Sequence, residues 1–376
     1  LNAHLLSLTA TYRGAGINGY IYQLLRHLPA ADVTLDYVAY LYDRSFDPGA
    51  GLTVQASSWD TRAPWRRIAW EQTRLAAASR GLDLLHGLAY ATPLAAACPT
   101  IVSVHDLSFM RFPDAFRRTN RLYLKLFTRL SARRAARVIT GSESTRQDVI
   151  ARCGVPAARV VTVPDGVTAA FCPADPSAVA EFRQRKGLPE RFILFLGTLE
   201  PRKNVVRLLD AYAAWRRASH EPVSLVVAGG KGWYYETIFA RAAELDLGDA
   251  VIFPGFVPGD ELPWWYRAAE LFVYPSRFEG FGLPVLEALA CGTPTITSRA
   301  SSLPEVAGSA ALLVDPEDTA ELTEAIARVL SHRAVAAELR AAGPRQAAQF
   351  PWTRTASETA QVYRQALREH GHRGAA

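Results

Sequence analysis

The sequence predicts an α/β protein of two doubly wound parallel-sheet domains facing each other across a cleft. Three observations carry that expectation. At 376 residues the chain is long for a single core and suits two. Short apolar runs alternate with amphipathic stretches throughout, the pattern of strands and crossover helices. Glycine-bearing loops separate several of those runs from the helix that follows, which is where such folds hold phosphates. Residues 164–176, rich in Pro, Gly and Asp, read as the linker, placing the domains at 1–170 and 171–352.

Composition narrows the class. Hydrophobic residues make up 49% and mean hydropathy is +0.01, as in a soluble globular protein, and no apolar run is long enough to span a bilayer. Cys98, Cys153, Cys172 and Cys291 are scattered and read as reduced thiols, so a cytoplasmic location is expected. The eight His are dispersed and no D-x-D triplet occurs, so neither a metal site nor a resident cofactor is expected.

In the first half, Leu5 to Thr9 reads as a strand, followed by a glycine turn and a helix through Leu28. That turn contains G-x-G-x-x-G at Gly14, Gly16 and Gly19, and Asp43 closes a second strand, Tyr37 to Tyr42. Two readings stay open here: a dinucleotide site for NAD or FAD, and a tight turn that simply needs glycine. Trp59 to Ala78 reads as a helix whose Trp65 and Trp70 pack in the core. Leu82 to Leu85 and Thr100 to Val104 follow as strands, with His105 at the carboxyl end of the second, where active groups gather. From Arg111 to Arg137 nine Lys or Arg face one Asp. Arg118, Arg121, Lys125, Arg129 and Arg133 recur at helical spacing, with Tyr123, Phe127 and Leu130 turned away. A basic helix of this kind suits an anionic membrane surface or a phosphorylated partner as well as plain solvent. Nucleic acid is not expected, because no binding motif accompanies the charge. Val138 to Thr140, a helix capped by Ser142, and Val160 to Val163 complete this half.

In the second half, Phe192 to Leu196 is a strand, Gly197 to Asn204 a loop, and a helix starts near Val205. Arg202 and Lys203 sit at that helix mouth, a planar fork and a point charge suited to phosphate. Ser224 to Ala228 and Val251 to Phe253 are strands. Leu271 to Tyr274 is another, and Pro284 opens a helix that stops near Cys291-Gly292. Amides near Gly282 and Leu283 would face a ligand there, with Glu279 in the loop and Glu287 one turn into the helix. Carboxylates beside an anion site suit a molecule carrying both phosphate and hydroxyls, such as a nucleotide sugar; an ordinary crossover with a solvated Glu fits the same local pattern.

The spacing adds a resemblance. FEGFGLPVLEALACGTP, with seven residues between Glu279 and Glu287, resembles the E-x7-E motif of retaining glycosyltransferases of the GT-B fold, family 4 or "group 1" type. GTLEPRKN from Gly197 resembles that family's phosphate loop, although Thr198 stands where some relatives carry Arg. PGFVPGDEL resembles its base-binding loop, and VHDLSFMRFP a segment whose His contacts the transferred sugar. The resemblance implies donor contacts from Gly14, Gly16 and Gly197, and from Phe256 and Val257 to the base. It implies Glu287 on the ribose, and His105 and Glu279 on the sugar. Arg202 and Lys203 would meet the diphosphate, and 353–376 would cross back to the first domain. The implied enzyme moves a hexose, from GDP-mannose ahead of UDP-hexoses, to a hydroxyl of a glycan or lipid-linked acceptor. It would retain the anomeric configuration without metal, on the inner membrane face. A sugar-nucleotide epimerase, an NAD enzyme and a non-catalytic binding module are the alternatives.

Overall fold

The computed structural model describes residues 1–7, 15–43, 45–61, 63–113 and 118–371. Two compact units divide the chain, Leu1–Gly166 with the helix from Trp352, and Val167–Pro351.

The first unit is a parallel sheet. Tyr37–Leu41 (β1) pairs with Leu52–Ala56 (β2), and Leu85–Gly87 (β3), Thr100–Val104 (β4), Arg137–Thr140 (β5) and Val160–Thr162 (β6) run in that order. Asn2 joins the two groups, bridging Tyr40 on one side and Gly87 on the other. Its amide donates to His86 O at 2.8 Å, while Ala3 N donates to Tyr40 O at 2.8 Å. The first strand is therefore shorter and earlier than Leu5 to Thr9. Residues 4–7 leave the sheet at once, and Thr9 lies outside the described residues, as does Gly14. The strand expected at Leu82 to Leu85 begins only at Leu85, because a 3-10 turn at Ser79–Gly81 delays it. Helix begins at Pro64 rather than Trp59, where proline supplies the starting φ. Trp70 is buried as expected, but Trp65 is 66% exposed, which corrects the packing role read for it.

Gly16 falls in the first turn of the helix Ala15–Ala31, against which the C-terminal helix Trp352–Gly371 packs. Asp43 caps its own loop, accepting from Ser45 N and Oγ.

The basic helix spans Arg118–Arg134. Its buried side is Thr128, Ser131 and Ala132, with Tyr123 and Phe127 half-buried and 4.7 Å apart. The five cations do not form one free stripe. Arg121 donates to Pro113 O (3.2 Å), Arg129 to Arg152 O (2.8 Å) and Arg133 to Cys153 O (2.7 Å). Leu122 and Leu126 are 67% and 49% exposed.

The second unit is a six-stranded parallel sheet of Phe192–Leu196 (β7), Ser224–Ala228 (β8), Val251–Gly255 (β9), Leu271–Tyr274 (β10), Thr295–Ser298 (β11) and Leu312–Val314 (β12). Its order is β12-β11-β10-β7-β8-β9. Strand order reverses between β7 and β10, and ligands of open α/β sheets bind outside the carboxyl ends of strands at that switch point. Both strands are apolar and buried on both faces, as a covered parallel sheet requires.

Candidate active site

The loops leaving β7 and β10 meet at the switch point. Arg277 N donates to Arg202 O at 2.9 Å, and Ser276 Oγ donates to the same carbonyl at 3.1 Å. Asn204, at φ 61°, ends the first loop and donates its side-chain amide to Pro275 O and Pro316 O. This left-handed position tolerates Asn better than most residues. Gly229 carries φ 144°, and a Cβ there would lie 1.8 Å from Gly197 O, so only glycine lets the β8 loop pass beneath the β7 loop.

These constraints bring Arg202, Lys203 and Glu279 into one cluster. Glu279 Oε1 accepts from Ser276 Oγ (2.6 Å), Lys203 Nζ (2.7 Å) and Tyr274 Oη (3.1 Å), while Oε2 accepts from Arg202 Nη1 (2.9 Å). Arg202 also donates to Glu200 Oε1 and to Phe278 O. Burial pushes the Glu279 carboxyl up, but the Arg202 and Lys203 charges outweigh it and bring the group down to about 2. Lys203 is lowered, first by burial and then by Arg202. In this state Glu279 is the anchor that holds two cations in place.

Glu287 lies apart from that cluster. Tyr266 Oη donates to it at 2.9 Å, and burial raises its carboxyl to about 7 against that hydrogen bond. Between the two acids runs the start of the helix Leu283–Ala290, with Gly282 at its N-cap. Gly282 holds φ 117°, and a Cβ there would lie 2.8 Å from Leu303 Cδ2. Among the described residues the amides of Gly282 and Leu283 have no partner, and Pro284 has no N–H, so both donors stand open at the positive end of the helix. Gly197 continues the sheet, donating to Ala228 O. After β9, Val257 is buried and Phe256 is 42% exposed.

His105 belongs to the first unit, where it follows β4. Its Nε2 donates to Leu88 O at 2.9 Å, since a carbonyl only accepts, which leaves Nδ1 unprotonated and, among the described residues, unpartnered. Burial lowers its pKa, so the ring is neutral at pH 7. The ring of Tyr20 meets it edge-on at 4.6 Å.

Tyr274, Ser276 and Glu200 were not singled out from the sequence; Tyr266 reads there as a packing aromatic, and it is both buried and a donor to Glu287. The signal for Tyr274 was available: a hydroxyl at the last position of an otherwise apolar strand. Among the described residues no group of three or more His, Cys, Asp or Glu could hold a metal, and no helix is long and apolar enough to cross a membrane.

Two doubly wound parallel units of this kind make a GT-B architecture, which comparison with known proteins bears out. The description "Glycosyl transferases group 1" matches residues 179–346, and "Glycosyltransferase Family 4" matches residues 14–171. The O-antigen chain mannosyltransferase B of Escherichia coli is 32% identical over 265 residues, 70% of this chain and 70% of that one. Of a longer matching relative the chain spans 28%. A sucrose-phosphate synthase from Thermosynechococcus elongatus superposes with a TM-score of 0.73 at 26% identity, covering 94% of each chain. HepE from Anabaena, solved with UDP and glucose, gives 0.73 at 20% identity, covering 94% of this chain and 97% of that one. The chain belongs to glycosyltransferase family 4, the group 1 glycosyl transferases.

Proposed function

We propose that this glycosyltransferase moves a hexose, mannose from GDP-mannose ahead of UDP-hexoses, to a hydroxyl of a glycan or lipid-linked acceptor, with retention and without a metal ion. The observation that carries this reading is the cation pair Arg202–Lys203, held by Glu279 beside the open amides of Gly282 and Leu283 at the switch point. Cleaving the bond from the anomeric carbon to the diphosphate puts negative charge on the leaving oxygens. Fixed donors aimed at that charge are the largest single source of catalysis in such reactions. The partly buried Glu287, with one oxygen taken by Tyr266, suits the ribose hydroxyls. The neutral His105 suits a sugar hydroxyl through Nδ1. The acceptor oxygen takes the place of the diphosphate on the same face and gives up its proton to the departing phosphate oxygen.

Two relatives support the substrates: one is an O-antigen chain mannosyltransferase, and HepE was solved with UDP and glucose. On the basic helix, Arg118, Leu122, Lys125 and Leu126 share one face at spacings of three and four. Exposed leucines among cations suit an anionic bilayer carrying a lipid-linked acceptor.

Thermal-shift titration with GDP-mannose and UDP-glucose, with and without EDTA, tests the reading, followed by proton NMR of the product. Stabilisation by one nucleotide sugar, EDTA-insensitive turnover and an α-linked product from an α-donor are expected. An inverted product, a metal requirement, or epimerised donor without transfer would contradict it.

A further inference from the structure

The first unit carries a cavity that the donor cluster does not explain. A cavity of about 350 Å³ opens at the carboxyl ends of β1 and β2, lined among others by Tyr40, Gln55, Ser58, Trp59, Trp70 and Arg74. Its size is at the small end of ligand sites, which run from about 300 to 1,000 Å³. Two features mark it as built for something.

First, its aromatic walls are held in place. Ser57 Oγ accepts from Trp59 N (3.0 Å) and donates to Trp59 O (3.3 Å), so a closed turn presents an indole that is 37% exposed. Arg74 lies over that indole at 6.0 Å. Trp70 is pinned by the His4 ring at 3.8 Å and by Tyr40 at 6.2 Å. Second, its polar groups are not taken up by the protein itself and face the opening. Tyr40 and Trp70 are 6% and 7% exposed; among the described residues neither the Tyr40 hydroxyl nor the Trp70 indole N–H makes a hydrogen bond, and neither atom is fully buried, so both open onto the cavity. Donors and acceptors that the protein leaves open on a cavity wall are available to the hydroxyls of a ligand. The side chains of Gln55 and Ser58 at the rim are likewise without partners among the described residues.

Aromatic faces that cover ring C–H surfaces, set among neutral donors and acceptors, are the chemistry that recognises a sugar ring. A phosphate would want several cations, and among the described residues the cavity supplies Arg74 alone. We propose that this cavity is a saccharide subsite for a remote residue of a glycan acceptor. It lies at the same carboxyl end of the sheet as His105, because β1 to β4 and the Asn2 bridges between them are all parallel. From β1 to β4 is three strand spacings, counting the Asn2 row, or roughly 14 Å at about 4.8 Å each. A single sugar at His105 cannot reach it; an oligosaccharide can. The proposal rests on the glycosyl-transfer reading for the place of His105, and it makes the acceptor a growing chain of sugars.

Calorimetric titration of the full chain with methyl α-mannoside and with a linear α-mannotetraose tests this, alongside Trp59→Ala and Tyr40→Phe. The tetrasaccharide should bind the native protein at least about tenfold tighter than the monosaccharide, the scale of one well-placed aromatic anchor. Trp59→Ala should erase most of that advantage and Tyr40→Phe part of it, with the circular dichroism spectrum and GDP affinity kept. Equal affinity for the two sugars, or a tetrasaccharide affinity that Trp59→Ala leaves unchanged, overturns the proposal. Chain-length dependence that survives in a protein unable to bind any GDP- or UDP-sugar would uphold the subsite and sink the donor reading instead.

Discussion

Lys203 Nζ and Glu279 Oε1 lie 2.7 Å apart, both side chains 9% exposed, on loops that leave the two strands flanking the switch point. Each ion supports the other there, with Arg202 as the second cation on Glu279 and Glu279 as the nearest anion to Lys203. Breaking a buried pair from one side costs about 3–5 kcal/mol when the remaining charge is left alone, and less for Glu279, which keeps Arg202 when Lys203 is removed.

Lys203→Ala should therefore lose stability as well as activity, with turnover down ~100- to 1,000-fold. The double variant Lys203→Met/Glu279→Gln, which removes both charges, should recover much of the stability and none of the turnover. Urea unfolding and initial rates on the same preparations separate the two effects. A double variant as unstable as Lys203→Ala would mean that packing, not charge, is what the pair supplies.

Acid should act through Glu279. Its carboxyl falls from an ordinary 4.5 to about 2 in the fold, so its contribution is present in full above pH 4.5. That contribution is lost as pH falls toward 2. Glu279→Gln lacks it, and the difference in stability between native protein and variant should narrow across that window when followed by thermal melting.

Glu287 has the opposite sign. Burial raises it from 4.5 to about 7, so this group costs the free protein stability as pH rises through that range. Asp165, buried and raised to about 7, adds in the same direction. Ribose hydroxyls favour the ionised form of Glu287, so GDP should bind up to roughly tenfold tighter at pH 8 than at pH 6. Glu287→Gln should bind GDP more weakly at pH 8 and flatten the profile. Calorimetry at the two pH values gives the answer.

Two glycines carry the backbone of the site. Gly229→Ala sets a methyl 1.8 Å from Gly197 O, and Gly282→Ala sets one 2.8 Å from the movable end of Leu303. The first clash is with backbone and has no relief, so it should cost at least about 2 kcal/mol and loosen the loop that follows β7. The second should cost less, about 1 kcal/mol, mostly from φ 117°. Chemical denaturation ranks them, and the reverse order would contradict the geometry.

Leu122→Asp/Leu126→Asp changes two exposed side chains and should leave melting within about 1 °C, since surface changes rarely matter to stability. Sedimentation with vesicles of anionic phospholipid should fall at least about fivefold, and with neutral vesicles should be absent in both proteins.

The second half of the chain was legible because its strands are buried on both faces and read as apolar blocks. Phe192–Leu196, Ser224–Ala228 and Leu271–Tyr274 lie where the residues place them. The first half was harder. Asn2 makes a strand of one bridging residue, which no periodicity can announce. Charge counting found the basic helix but not the carbonyls of Arg152 and Cys153 that take up two of its cations, because those arrive from a distant turn. At the site, Arg202, Lys203 and Glu279 were each visible from their loops. Their pairing was not, because 77 positions separate Arg202 from Glu279 and only the β7–β10 neighbourhood brings them together.

The structure of the protein with GDP bound tests the central claim most directly. The diphosphate should lie within about 3 Å of donors from Arg202, Lys203 or the Gly282–Leu283 amides, with the ribose on Glu287. A nucleotide seated elsewhere, with Lys203 and Glu287 both untouched, would contradict it.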